Sequence, residues 1–108
     1  MALPNVSLTV TGTGTSAVIS LDNFTNPFNV GVGVNISATA TYTVEYTFDD
    51  VSSDSFVASS ATWFTETTFG TATTKKAIQF QIPCRGIRLN VSASTGTATI
   101  YVQQAGLR

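Results

Sequence analysis

The chain has 108 residues, of which 43% are apolar, enough for one domain but not two, since separate cores need about 50 to 200 residues each. It contains no histidine and one cysteine, Cys84, which excludes histidine-based acid–base or nucleophilic catalysis, a Cys/His zinc site and an intrachain disulfide. Only 10% of residues are charged, against about 25% in ordinary soluble proteins, so neutral polar groups must cover the surface and the five cations form no stripe for a nucleic-acid backbone.

The opening Met1–Asn5 has no positive segment and no apolar run follows it, so no signal peptide is expected. No stretch approaches the roughly 20 apolar residues of a membrane helix, and the lone Cys84 suits synthesis in a reducing cytosol. Asn-x-Ser/Thr sequons at Asn5, Asn23, Asn35 and Asn90 are what a chain with 19 threonines and 11 serines produces by chance. Residues 6–10 and 16–21 are short β-type runs separated by Thr11-Gly-Thr-Gly-Thr15. With Pro4, those glycines make residues 1–15 read as a flexible N-terminal arm, followed by a domain over 16–108.

Between Phe28 and Ser37, Val30, Val32, Val34 and Ile36 alternate with Asn29, Gly31, Gly33 and Asn35, which predicts a strand with one apolar face. Gly31 and Gly33 on its opposite face suggest a bend, or a close approach by backbone or a bulky ring. Tyr42, Val44, Tyr46 and Phe48 then point one way while Thr41, Thr43, Glu45 and Thr47 point the other. A polar turn at 49–54 leads into a long, partly ordered connection over 55–74, with one short helical turn near 59–64. Ile78, Phe80 and Ile82 mark a strand ending at Pro83, and Ile87, Leu89 and Val91 mark another. Ser94-Thr95-Gly96 reads as a hairpin before a last strand to Gln103. Seven to eight strands without a helical period predict an all-β, antiparallel two-sheet sandwich, jelly-roll-like in type.

Few residues could carry chemistry. Asp49, Asp50 and Asp54 form the one carboxylate cluster. A solvated strand-end turn is the preferred reading and a calcium site the alternative, because EF-hand spacing and its terminal glutamate are absent. Glu45 and Glu66 have no sequence feature that brings them together as a glycosidase pair. Trp63 and Phe64, with Phe56 and Phe69, are candidates for core packing under the long connection, for an interface anchor, or for a sugar-stacking platform. Cys84 beside Pro83 reads as a small buried hydrophobe rather than an Arg85-activated thiolate. No catalytic residue, metal ligand or cofactor is assigned.

Open sandwiches protect their margins with lysine, proline or bulges. Here two adjacent lysines and three prolines serve the whole chain, so other protein is expected to cover the margins, with the arm adding a strand to a neighbour. The expected interface residues are Leu3, Pro4, Val6, Leu8 and Val10 of the arm, with Trp63, Phe64 and Phe69.

Three segments, Thr41-Tyr-Thr-Val-Glu-Tyr-Thr-Phe-Asp-Asp-Val51, Ala61-Thr-Trp-Phe64, and Gly86-Ile-Arg-Leu-Asn-Val-Ser-Ala93 followed by Gly96-Thr-Ala-Thr-Ile-Tyr-Val-Gln-Gln104, carry a resemblance. In this order they resemble small virion structural proteins of tailed bacteriophages, most like the capsid decoration, or cement, proteins of short-tailed phages. The resemblance implies a homo-oligomer, dimer or trimer, made in the bacterial cytoplasm and bound to the major capsid protein on the outside of the head. It implies no enzyme activity, and the scarcity of cations and of long apolar runs noted above leaves neither nucleic acid nor membrane as an expected partner. The motifs are strand and turn patterns, so they transfer no binding residue. A tail, neck or fibre component and a carbohydrate-binding module are the alternatives.

Overall fold

Alternating apolar rows assemble the molecule, because each strand can bury only one face. The computed structural model describes residues 5–21 and 26–107. Among them run nine strands: β1 (Asn5–Thr11), β2 (Gly14–Thr15), β3 (Ile19–Ser20), β4 (Asn26–Ile36), β5 (Ala40–Thr47), β6 (Phe64–Thr65), β7 (Lys76–Phe80), β8 (Gly86–Ser94) and β9 (Thr97–Leu107). They form two antiparallel sheets, one in the order β1-β9-β4-β7 and the other β2-β8-β5-β6, with β3 also paired to β8. The two sheets pack into a sandwich, the class the residue pattern predicts.

Most of the core comes from the predicted inner rows, but Phe48 and Ile82, expected on them, are exposed, and Thr47, expected on the opposite face of β5, is fully buried. Val30, Val32 and Val34 of β4 and Ala98, Ile100 and Val102 of β9 face Tyr42 and Val44 of β5 and Ile87, Leu89 and Val91 of β8, all buried. Full burial of such a side chain contributes about 1.5 to 3 kcal/mol, so these rows hold the sheets together without help from charge. Register along β4 is continuous from Asn29 to Ile36, so the two glycines introduce no bulge there. Tyr101, the cross-strand neighbour of Gly33, is the bulky ring on that outer face.

Residues 5–11, assigned to an arm by composition, form β1 and pair with β9 over the full run from Asn5↔Gln103 to Thr11↔Thr97. Their inward positions explain why: Val10 is buried, and Val6 and Leu8 pack against the core. This strand is therefore part of the sandwich body, while Leu3 and Pro4 lie outside the described residues.

A second expectation also changes. Ser94-Thr95-Gly96 is not a hairpin, because β8 and β9 belong to different sheets and the segment arches between them. It lies against the β4–β5 arch, where Ser37 N donates to Thr97 O at 2.9 Å and Thr95 N to Thr39 O at 2.9 Å. Gly12, in the β1–β2 arch, donates its N–H to Gly96 O at 3.0 Å. Three crossings thus stack at one end.

The 55–74 connection is more ordered than its composition suggests. It contains 3-10 turns at Ala58–Ser60 and Thr67–Phe69 with β6 between them. Phe69 is fully buried, its ring centroid 6.1 Å from that of Tyr42. An isolated bridge, Tyr42↔Ala72, pins the returning chain.

Candidate functional site

Trp63 and Phe64 are neighbours in sequence but part company in space. Phe64 enters β6 opposite Tyr46, and its ring stacks on the Tyr46 ring at 5.8 Å. Phe48 stands edge-on to Tyr46 at 5.8 Å and lies 5.5 Å from Phe64, while Phe80 of the other sheet meets Tyr46 at 5.1 Å. Four rings therefore close the side of the sandwich where β6 and β7 are marginal. Phe48 and Phe64 keep 49% and 44% of their surface exposed, enough to make this margin an apolar surface feature rather than core.

Trp63 belongs to a different arrangement. The Arg88 guanidinium carbon sits 4.0 Å from the Trp63 ring centroid, and Arg88 Nε donates to Glu45 Oε1 at 2.8 Å. The indole N–H donates to the Ala58 carbonyl at 2.9 Å, which ties the first 3-10 turn to the ring. One ring face and the polar edge are thus engaged within the chain, which leaves Trp63 poorly placed as a sugar platform. Arg88 and Glu45 are both largely screened from water, so this pair is held more firmly than an exposed ion pair.

The remaining carboxylates act on local backbone. Asp49 Oδ2 accepts the Thr62 N–H at 2.8 Å, joining the start of the connection to its later part. Asp50 Oδ1 accepts from Ser52 N at 3.1 Å and its Oδ2 lies 3.4 Å from Arg85 Nη1. Glu66 accepts the Thr68 N–H at 2.7 Å and so caps the second 3-10 turn. Among the described residues no group of three His, Cys, Asp or Glu side chains is placed to hold a metal ion. Glu45, engaged by Arg88, and Glu66, engaged by a turn, each have a structural partner.

Cys84 is buried, and that burial pushes its thiol up to about 12 despite an opposing hydrogen bond from the Gly86 backbone. Neighbouring Arg85 faces Asp50 instead. The thiol is chemically quiet in the folded chain.

The expected interface residues have mixed positions. Phe69 is fully buried beside Tyr42 and so cannot anchor a partner, while Val10 is buried on the inner row of β1, where its main packing is to the core. Val6 and Leu8 are half-buried on the same inner row, Trp63 is half-buried beneath Arg88, and Phe64 is exposed. Phe48, expected on the row of Tyr42 and Val44, and Tyr101, absent from the expected interface residues, are each 49% exposed. Tyr101 was legible in principle, since it alternates with Ile100 and Val102 and must face away from the core. It divides two shallow depressions of about 370 and 390 Å³ on the outer face of the β1-β9-β4-β7 sheet, both reaching Gly33 and Ala77.

The chain matches no family model, no curated protein and no solved structure.

Proposed function

We propose that this protein is a non-enzymatic virion structural protein, a capsid decoration protein that binds the major capsid protein on the outer surface of a phage head as a homo-oligomer. The observation that carries this reading is the aromatic margin, where Phe48 and Phe64 stand half in water beside Tyr46. Aromatic surface of that kind, next to a scarcely charged body, favours attachment to other protein. A cement role asks for no reacting group, and among the described residues the carboxylates with assigned partners serve turns or ion pairs.

The order of strand pairing supports the finer fold assignment. Taking β2 and β3 as one interrupted strand, the pairs are nested: β1 with β9, β2/β3 with β8, β4 with β7, and β5 with β6. A long folded ribbon wound into two sheets has that nesting, and it is the jelly-roll arrangement used by capsid proteins among others. Fold alone does not select the role, and the resemblance of the strand segments does that part.

Several copies bound together would hold a shell firmly even if each contact were weak, and binding assembled shell in preference to free subunits would stabilise it by mass action. The test is the amount of this protein in purified particles of the phage that encodes it. Hundreds of copies per particle, reduced by a Phe48→Ser/Phe64→Ser variant that still folds, is the expected result. Absence from particles overturns the reading, and a few tens of copies moves the protein to the tail or neck.

A further inference from the structure

Four strand margins bound the sandwich, and they are not equally protected. β2, β3 and β6 have two residues each, too short to template another chain. β7 is longer, but it begins at Lys76, preceded by Lys75, and the Lys76 ammonium donates to the Thr68 carbonyl across its end. β1 is seven residues long, keeps an unbroken register with β9, and contains no charge, no proline and no bulge in Asn-Val-Ser-Leu-Thr-Val-Thr. It pairs with β9 alone, so among the described residues its other margin has no strand partner.

We propose that the free margin of β1 is a self-association edge: two copies pair their β1 strands antiparallel about a two-fold axis at Leu8, making one continuous sheet across the dimer. Centring on Leu8 sets Val6 opposite Val10 of the second copy and Ser7 opposite Thr9 of the second copy. Apolar inner positions meet apolar ones and hydroxyls meet hydroxyls, so neither side chain row changes face.

Charge selects a second copy as the occupant. An isologous interface places each residue near the same surface of its twin, so any charge close to the axis meets its own sign. β1 has none, whereas β7 carries Lys76 on the strand itself with Lys75 directly before it. The apolar row points the same way: Val10 is buried in the single chain, while Val6 and Leu8 pack on the core yet remain partly open, and an added strand covers them. On this side the second sheet ends in Thr13, Gly14, Thr15 and Ala17, exposed, small and uncharged, so no bulky side chain obstructs approach.

This inference deepens the homo-oligomer part of the preceding reading and is separable from its virion part. A dimer that is missing from particles defeats only the virion role, and a monomer found on particles defeats only the edge.

Sedimentation equilibrium of the full chain, from micromolar to millimolar, is the test. A monomer–dimer equilibrium is expected, weakened by at least about tenfold in Ser7→Lys/Thr9→Lys, which sets lysines against lysines across the axis. Gln79→Lys, on the β7 margin, should leave the equilibrium unchanged. A wild-type monomer at millimolar concentration, or an undiminished dimer in the double variant, overturns the proposal. Should that variant fail to fold, hydrogen exchange of the wild type decides: β1 amide protection must rise with protein concentration, and concentration-independent protection sinks the idea.

Discussion

A Cβ on Gly96 would stand 2.5 Å from the Ser37 carbonyl oxygen, a separation real atoms do not tolerate. Gly96 is therefore required by the closeness of two inter-sheet arches, and its role is to let the β8–β9 crossing lie on the β4–β5 crossing. Gly96→Ala should cost about 1 to 3 kcal/mol, the usual range for forced overpacking. Gly31→Ala, whose added Cβ would meet only the Gln103 carbonyl oxygen at 3.7 Å, is the control and should stay within about 0.5 kcal/mol of wild type. Urea midpoints at constant slope measure both.

Tyr42 and Tyr46 occupy equivalent places in the alternation of β5 but not in the core. Tyr42 is fully buried against Phe69, with its hydroxyl bonded to the Thr74 carbonyl, while Tyr46 is half-buried among the marginal rings. Tyr42→Ala should cost about 3 to 5 kcal/mol, and Tyr46→Ala clearly less. Equal losses in chemical denaturation would contradict the burial described for Tyr46.

Removal of residues 1–15 tests whether β1 belongs to the body. The truncation takes away Val10 and the packed faces of Val6 and Leu8 and leaves β9 as an uncovered margin. At about 1 to 2 kcal/mol for each apolar side chain, the loss approaches 3 to 5 kcal/mol, a large part of the roughly 5 to 15 kcal/mol available to a domain. Thermal unfolding of the truncated chain should fall well below that of the full chain. An unchanged midpoint would mean that β1 is a dispensable arm.

Arg88 links the one tryptophan to Glu45, so its loss is visible by fluorescence. Arg88→Ala should change Trp63 emission and destabilise the fold by about 1 to 3 kcal/mol, because it strips a screened carboxylate of its partner and a ring of its cation. Arg88→Lys should recover little, since an ammonium cannot stack flat on the indole while donating sideways to Glu45. Full recovery by lysine would show that only net charge matters there.

Cys84 supplies a dependence on pH. Its folded thiol lies at about 12 against an ordinary 9.0, so the folded state keeps a proton that the unfolded chain gives up. The stability this provides is fully present below pH 9 and is lost as pH rises from there towards about 12. Tyr42, raised above its ordinary 10.0 by burial, acts in the same direction. Denaturation midpoints should decline above about pH 9, and Cys84→Ala should flatten the first part of that decline. At pH 8 the native thiol should resist a thiol-reactive dye until the chain unfolds, and rapid native labelling would contradict the burial of Cys84.

Local residue order was sufficient to identify the central strands. Val30 to Val34, Tyr42 to Val44, Ile87 to Val91 and Ile100 to Val102 alternate with glycine, polar or tyrosine neighbours, and a strand turns that alternation into two faces wherever it is placed. The scarcity of reactive groups was equally plain from composition. What residue order left open was which strand lies beside which. Ser94-Thr95-Gly96 has the same composition whether its strands pair as a hairpin or cross between sheets, and Val6, Leu8 and Val10 read as an arm until β9 offers them a place. Trp63 and Phe64 looked like one platform until the Tyr46↔Phe64 pairing sent them to different surroundings, and Phe69 had no periodic context at all. These outcomes depend on contacts between residues far apart in the chain, where burial and close packing over the whole sandwich choose among arrangements that local geometry allows equally.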